Sequence, residues 1–354
     1  MAVEALEDAT ATEELAGETV FLGLLLLRYN AFLRSRAVLR LEELRGEILR
    51  ELATVDLTGP QRYAQAARLD APMTALIQGA YDEIDADLRR ELVGLVGLVS
   101  DFTADRIDAA IGRQDIGRRL APQVERLLPA NAMIEGATIA SWLGSQAGNL
   151  LFILRRIINA AASNSAGLTE ITRAVREAVD AAQRHAMPVV RTAVTAVFGA
   201  AMIASVRENG RTVRGWVHVS CLDSRTTETC KKRSGARFLA DGTPVGHSLP
   251  FRVPPLHMGC RSHLAPWFHA MGDMPQAAAG AIVASGRERA FRDKTPRDLD
   301  LGEWLATRPV KDQEAAIGKA RIDAWRAGKI TTPGLLDQSA RPLPLELIRK
   351  LLGL

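Results

Sequence analysis

The chain has 354 residues, 47% of them hydrophobic and only 5% aromatic, with 45 Lys and Arg against 41 Asp and Glu. That length allows two modest domains or one domain with a long extension, and the apolar fraction is enough for a real core. A net charge of +4 is too small to make the whole chain a nucleic-acid binder, and three cysteines exclude a disulfide framework and fit a reducing compartment.

In chain order, residues 1–20 carry six acids and no base, which fits an acidic N-terminal arm. A secretory signal would begin basic and turn apolar. The run VFLGLLLL stops at Arg28, far short of the ~20 apolar residues of a membrane span, so no membrane partner is expected. Residues 21–184 read as successive helices. Leu22, Leu25, Leu26, Tyr29, Phe32 and Leu33 recur at three- and four-residue intervals. Thr58-Gly59-Pro60 is a break with proline placed for a helix start. A further helix is expected from Ser165 or Thr169, with capping chemistry at its start, and another over 187–208 that stops at Asn209-Gly210.

The period then changes. Val213, Gly215, Val217, Val219 and Cys221 alternate with Arg214, Trp216, His218 and Ser220, the two-residue repeat of a strand. Residues 223–270 are turn-rich and poor in core positions, so they need a staple or a partner surface. Beyond 275 helices return: a short one closed by Pro309, a longer one ending at Gly328, and a last one over PLELIRKLLGL. The expected fold class is α+β and predominantly α-helical: a long helical N-terminal arm, a small turn-rich α+β lobe with a short sheet at 185–275, and a helical C-terminal tail at 276–354.

Chemistry concentrates in the lobe. All three cysteines (221, 230, 260) and five of six histidines (218, 247, 257, 263, 269) fall within residues 218–269. His257-x-x-Cys260 has the spacing of half a zinc site, and Cys230 offers a third ligand. The fourth is open. Cys221 is one candidate, although its register with Val217 and Val219 also suits a core thiol; His247 and His263 are others. The plain reading of the cluster is a turn-rich lobe with hydrogen-bonded histidines and free cysteines. A thiolate–imidazolium pair of Cys260 with His257 or His263 is a weaker, catalytic reading, because nothing in the spacing orients the base. GSQAG at 144–148 has its serine one place early for a nucleophile elbow, and no phosphate loop or HExxH occurs. The basic turn KKRSGAR makes Lys231, Lys232, Arg233 and Arg237 candidate contacts to DNA or a partner, or an ordinary solvated loop.

Taken in order, these pieces resemble the phage head-morphogenesis family, the minor head proteins typified by phage Mu protein F. The resemblance rests on an Arg-Thr helix (Arg191, Thr192), a tryptophan strand (Trp216), Asp-x-Arg-Thr (Asp223, Arg225, Thr226), Cys230 seven residues after the aspartate, a glycine turn (Gly235), and Pro254-Pro255-x-His257-x-x-Cys260-Arg261. The tail is also similar, through Trp304, Gln313, Gly318 and Gly328-Lys329. The pattern is specific over about residues 185–330. Two positions depart from it: Thr227 and Ser262 stand where many members carry cysteine.

The resemblance implies a structural, non-enzymatic minor head protein of a tailed phage. It would sit in the virion head near the portal in multiple copies, assembling in the host cytoplasm and acting in capsid assembly and in DNA packaging or ejection. The implied partners are the portal protein, bound by the 21–184 region, with major capsid protein or scaffold and packaged DNA as further candidates. Zinc is the candidate cofactor. From other classes, a zinc-dependent nuclease or transferase built on the Cys/His lobe, or a protein injected with the genome, remain as competing readings.

Overall fold

A computed structural model describes residues 2–111, 117–210, 213–220, 227–268, 305–306, 308–329 and 342–354. Helices α1 (Ala2–Leu52), α2 (Arg62–Arg68), α3 (Asp70–Ile111), α4 (Pro122–Asn131), α5 (Ile139–Asn164) and α6 (Leu168–Glu208) precede strand β3 (Val213–Val219), with a two-strand hairpin, β1 (Met133–Ile134) and β2 (Ala137–Thr138), before α5. The lobe continues with α7 (Glu228–Lys231), β4 (Arg237–Leu239), β5 (Pro244–Val245) and β6 (His263–Phe268). Helices α8 (Val310–Ile317), α9 (Lys319–Arg326) and α10 (Leu345–Leu352) follow. The fold is thus predominantly helical α+β with short antiparallel strands, as the periodicity predicts.

The chain forms two compact units. One comprises residues 33–90 and 133–193. Its core takes Leu41, Leu44 and Ile48 from α1, Ile77, Tyr81 and Ile84 from α3, and Leu143, Ala147, Leu150 and Leu154 from α5. These positions recur every three or four residues, the stripe that faces a core. The β1–β2 hairpin turns on Glu135 and Gly136, both at positive φ, as a two-residue primed turn requires. Thr138 then caps α5 by accepting from the Ser141 N–H at 3.2 Å, and Trp142 Nε1 donates back to the Ile134 carbonyl at 2.9 Å.

The other unit comprises residues 1–32, 91–132 and 194–354. Leu22, Leu25 and Tyr29 of α1, Leu95 and Phe102 of α3, and Val197, Phe198 and Met202 of α6 form its helical core. The Tyr29 hydroxyl donates to Glu91 Oε2 at 3.0 Å. A four-stranded antiparallel sheet, ordered β5-β4-β3-β6, completes it. In β3 both faces are covered, so Trp216 and His218 on the polar-looking side are as buried as the valines.

Several boundaries differ from the sequence reading. The stretch taken as an acidic arm is continuous with α1 from Ala2. Ser165 does not start a helix; it sits in the left-handed region (φ 51°) and closes α5. Helix α6 runs unbroken through Pro188, so the separate helix expected over 187–208 is its second half. Within α6 an 18-residue window is apolar enough for a membrane span, yet 78% of it is buried inside the protein, as befits a core helix. The single helix expected up to Gly328 is two, because Gly318 at φ +94° breaks the repeat and closes α8 onto the Glu314 carbonyl. The short helix closed by Pro309 lies mostly outside the described residues, and Trp304 with it.

Candidate functional site

The site grows from the end of the sheet. Val219 of β3 pairs with His263 of β6, so the residues just beyond the ladder, Ser220 and Ser262, meet with their hydroxyls 3.0 Å apart. Ser220 Oγ also donates to the Cys230 carbonyl at 2.8 Å, which ties α7 to the strand end. Thr227 caps that one-turn helix, its Oγ1 accepting from the Cys230 N–H at 3.4 Å. Two residues before Ser262 stands Cys260, whose carbonyl accepts from Thr195 Oγ1 of α6 at 3.3 Å.

His257 reaches the same point through a turn closed by the Cys260 N–H on the His257 carbonyl at 3.0 Å, with Gly259 at φ +77°. The loop bearing it enters through a cis Pro254–Pro255 bond. It lies against α6 at Gly199, where an added Cβ would stand 2.6 Å from the Pro254 carbonyl oxygen. Cys230 Sγ is 3.4 Å from His257 Nε2 and 3.8 Å from Cys260 Sγ, and the three donor atoms all lie within 4.8 Å of one another. Both cysteines are free and buried; the histidine is half-buried.

The protonation pattern follows from the contacts. His257 Nδ1 lies 3.0 Å from the Met258 carbonyl, which can only accept, so Nδ1 carries a proton, while Nε2 faces Cys230 Sγ and, at 3.1 Å, Thr227 Oγ1. The Cys230 thiol is drawn well below its ordinary range, chiefly because Cys260 donates to it, with Ser262, Thr227 and His257 adding to that pull. Cys260 is pushed up by the same bond and by burial. The pair therefore shares its protons unequally, with Cys230 the more thiolate-like sulfur. His218 and His263 are lowered to about 3 and about 4 by burial, helped by Arg233 and Arg261 respectively, and are neutral at ordinary pH. His263 sets its ring edge-on to Phe198, 4.9 Å between centroids, with Gly23 of α1 directly over it. His247 Nε2 is 3.0 Å from the Arg237 carbonyl while its Nδ1 accepts from the Leu249 N–H, and neither it nor His263 belongs to the three-donor cluster.

The remaining sequence-derived residues fall as follows. Cys221, Asp223, Arg225 and Thr226 lie outside the described residues. Trp216 is fully buried, stacked at a tilt on Phe251 at 5.0 Å, with Phe251 in turn edge-on to Phe238 of the facing strand. Its indole N–H finds no partner among the described residues. Gly235 takes a positive φ and returns the chain to β4 by donating to the His218 carbonyl at 2.8 Å. Pro255 and Arg261 flank the His257–Cys260 turn, half-buried. Arg191 and Thr192 lie on α6, where Thr192 Oγ1 donates to the Pro188 carbonyl of its own helix at 2.7 Å. Of the basic turn, Arg233 is turned inward onto the Pro250 carbonyl at 2.7 Å and is only 6% exposed. It anchors the loop and offers little to a phosphate. Lys231 pairs with Glu228 at 3.0 Å, Lys232 faces solvent, and Arg237 is half-buried in β4.

The sequence reading missed the hydroxyls that organise the cluster, Thr195, Thr227, Ser220 and Ser262. Thr227 and Ser262 stood out only as departures from a cysteine pattern; in the fold they hydrogen-bond the remaining thiol and imidazole groups.

Residues 153–265 match a family described as phage Mu protein F like protein. That is the family to which the Arg-Thr, tryptophan-strand and Pro-Pro-x-His-x-x-Cys-Arg pattern pointed. The match covers about a third of the chain, from within α5 through α6 and the Cys/His cluster to the middle of β6. No curated protein and no solved structure matches the chain.

Proposed function

From the match of residues 153–265 to the phage Mu protein F like family, we infer a role in phage head morphogenesis. We propose that the chain is a structural minor head protein of a tailed phage, bound at or near the portal vertex, acting in head assembly and in the passage of DNA without substrate turnover. The observation that carries this reading is the family match over most of the sheet and the Cys/His lobe together.

The physical character of the chain supports it. Helices of 51, 42 and 41 residues offer long ridged surfaces of the kind that pack on other helices. The sulfurs of Cys230 and Cys260 are buried, and reactive cysteines are at least partly accessible. The histidines of the sheet, His218 and His263, are buried and neutral, which suits core packing better than proton transfer. Exposed Lys232 and the adjacent Lys231 remain the candidate contacts to DNA or an acidic protein surface.

Co-expression with the portal protein of the same phage, followed by gradient sedimentation, tests the reading. The chain is expected to travel with portal rings and to be present in mature heads in several copies. Recovery only as free protein beside intact, DNA-filled heads that lack it would overturn the proposal.

A further inference from the structure

We propose that Cys230, His257 and Cys260 bind a structural Zn2+ that fastens the loop of residues 246–262 to helix α7 and the end of the sheet. The argument is geometric. Zinc with Zn–S of about 2.3 Å and Zn–N of about 2.0 Å sets ligand edges, in a tetrahedron, of about 3.8 Å for S···S and about 3.5 Å for S···N. The observed separations are 3.8 Å between the sulfurs and 3.4 Å from Cys230 Sγ to His257 Nε2. Two of the three donor separations thus stand close to tetrahedral edge lengths, and the third lies within 4.8 Å.

The imidazole is set in the state a ligand needs. A metal-bound histidine commonly gives its other ring N–H to a carbonyl, which fixes the tautomer and aims the free lone pair. His257 Nδ1 does this to Met258, leaving Nε2 directed at Cys230. Charge favours the same ion. Zn2+ with two thiolates and one neutral imidazole has no net charge, so the centre can be buried without an uncompensated ion. On binding, the protons still held by the two sulfurs pass to solvent, no electrons move, and water completes the fourth position. Soft sulfur donors with one imidazole select zinc over the hard cations that prefer oxygen.

The fold gives the ion a task. Residues 246–262 contain no helix or strand, and α7 is a single turn. Such a segment has little hydrophobic core with which to hold itself, and a cross-link from α7 to the His257–Cys260 turn supplies what the core does not.

The test uses the full chain, purified without chelator and dialysed, with zinc measured by elemental analysis. About one zinc per chain is expected, and Cys230→Ser, Cys260→Ser and His257→Ala should each lose it. His257→Cys, which restores a third soft ligand, should keep it. Reconstitution of the wild-type chain with Co2+ should give a thiolate-to-cobalt charge-transfer band and the intense visible bands of a tetrahedral site, so the proposal stays testable even if the variants fold poorly. A folded wild-type chain that takes up neither Zn2+ nor Co2+, or folded serine variants that keep full zinc, would overturn it. Portal binding is not read in this experiment, so its result stands apart from that of the head-assembly reading.

Discussion

Gly199→Ala and Gly148→Ala are the same substitution in helix interiors, and the structure gives them opposite signs. In an exposed helix interior, alanine gains about 0.5–1 kcal/mol over glycine through lower backbone entropy in the unfolded chain. Gly148 of α5 is exposed and a Cβ there meets nothing within 4 Å, so Gly148→Ala should stabilise by about that amount. At Gly199 of α6 the new Cβ would lie 2.6 Å from the Pro254 carbonyl oxygen and 3.1 Å from Val253 Cγ1. Carbon and carbonyl oxygen ordinarily meet no closer than about 3.3 Å, so the loop must retreat by about 0.7 Å. The obstacle is backbone, which cannot swing aside as a side chain can. Overpacking of this kind costs about 1–3 kcal/mol, leaving a net loss of about 1–2 kcal/mol after the helix gain. In urea titrations of the full chain that corresponds to a midpoint lower by about 0.3–1 M. Because Pro254 opens the loop to His257 and Cys260, native-state labelling of the buried thiols should also quicken in Gly199→Ala. An unchanged or raised midpoint for Gly199→Ala, with Gly148→Ala behaving as expected, would refute the contact with Pro254.

Asn209 is 3% exposed, and its side chain accepts from the Arg118 N–H at 2.7 Å and donates to the Arg118 and Ser205 carbonyls at 2.9 and 2.8 Å. Asn209→Ala leaves these groups unpaired and should cost about 2–4 kcal/mol in chemical denaturation. Thr227→Val removes the cap of α7 and the hydroxyl beside His257, for a loss of about 1 kcal/mol that Thr227→Ser should recover in thermal melts. His218 and His263 have folded-state pKa values of about 3 and 4 against 6.5 when unfolded, so below pH 6.5 the unfolded chain takes up protons that the folded chain does not. Their contribution is fully present above pH 6.5 and is lost as pH falls toward 4, by a few kcal/mol in all. Denaturant midpoints measured from pH 7 to pH 4 should show that decline, and a flat profile would count against both burials.

How much of this was legible in the chain follows from the range of the forces. The long helices could be read because a repeat of three and four apolar residues is a local property, as in Leu22, Leu25 and Tyr29 of α1. Strand β3 was equally plain from its alternation, and the grouping of cysteine and histidine in the lobe is a fact of composition. The Glu135-Gly136 hairpin escaped, since two-residue strands carry too little pattern. Pro188 and Gly318 depart from local expectation in opposite directions. Packing along α6 tolerates a proline that local rules treat as a stop, while one positive φ divides α8 from α9.

The sequence alone determined the helical stripes, strand β3 and which residues are able to bind a metal. Only the tertiary structure decided that Cys230 and Cys260, thirty positions apart, would stand 3.8 Å from each other, and that Arg233 would turn inward onto Pro250. Helix and strand arise from interactions between near neighbours, which a linear chain displays. The cluster depends instead on where β3, β6 and α7 meet, set by strand register and by the close approach that Gly199 permits, and neither is a property of any short stretch of sequence.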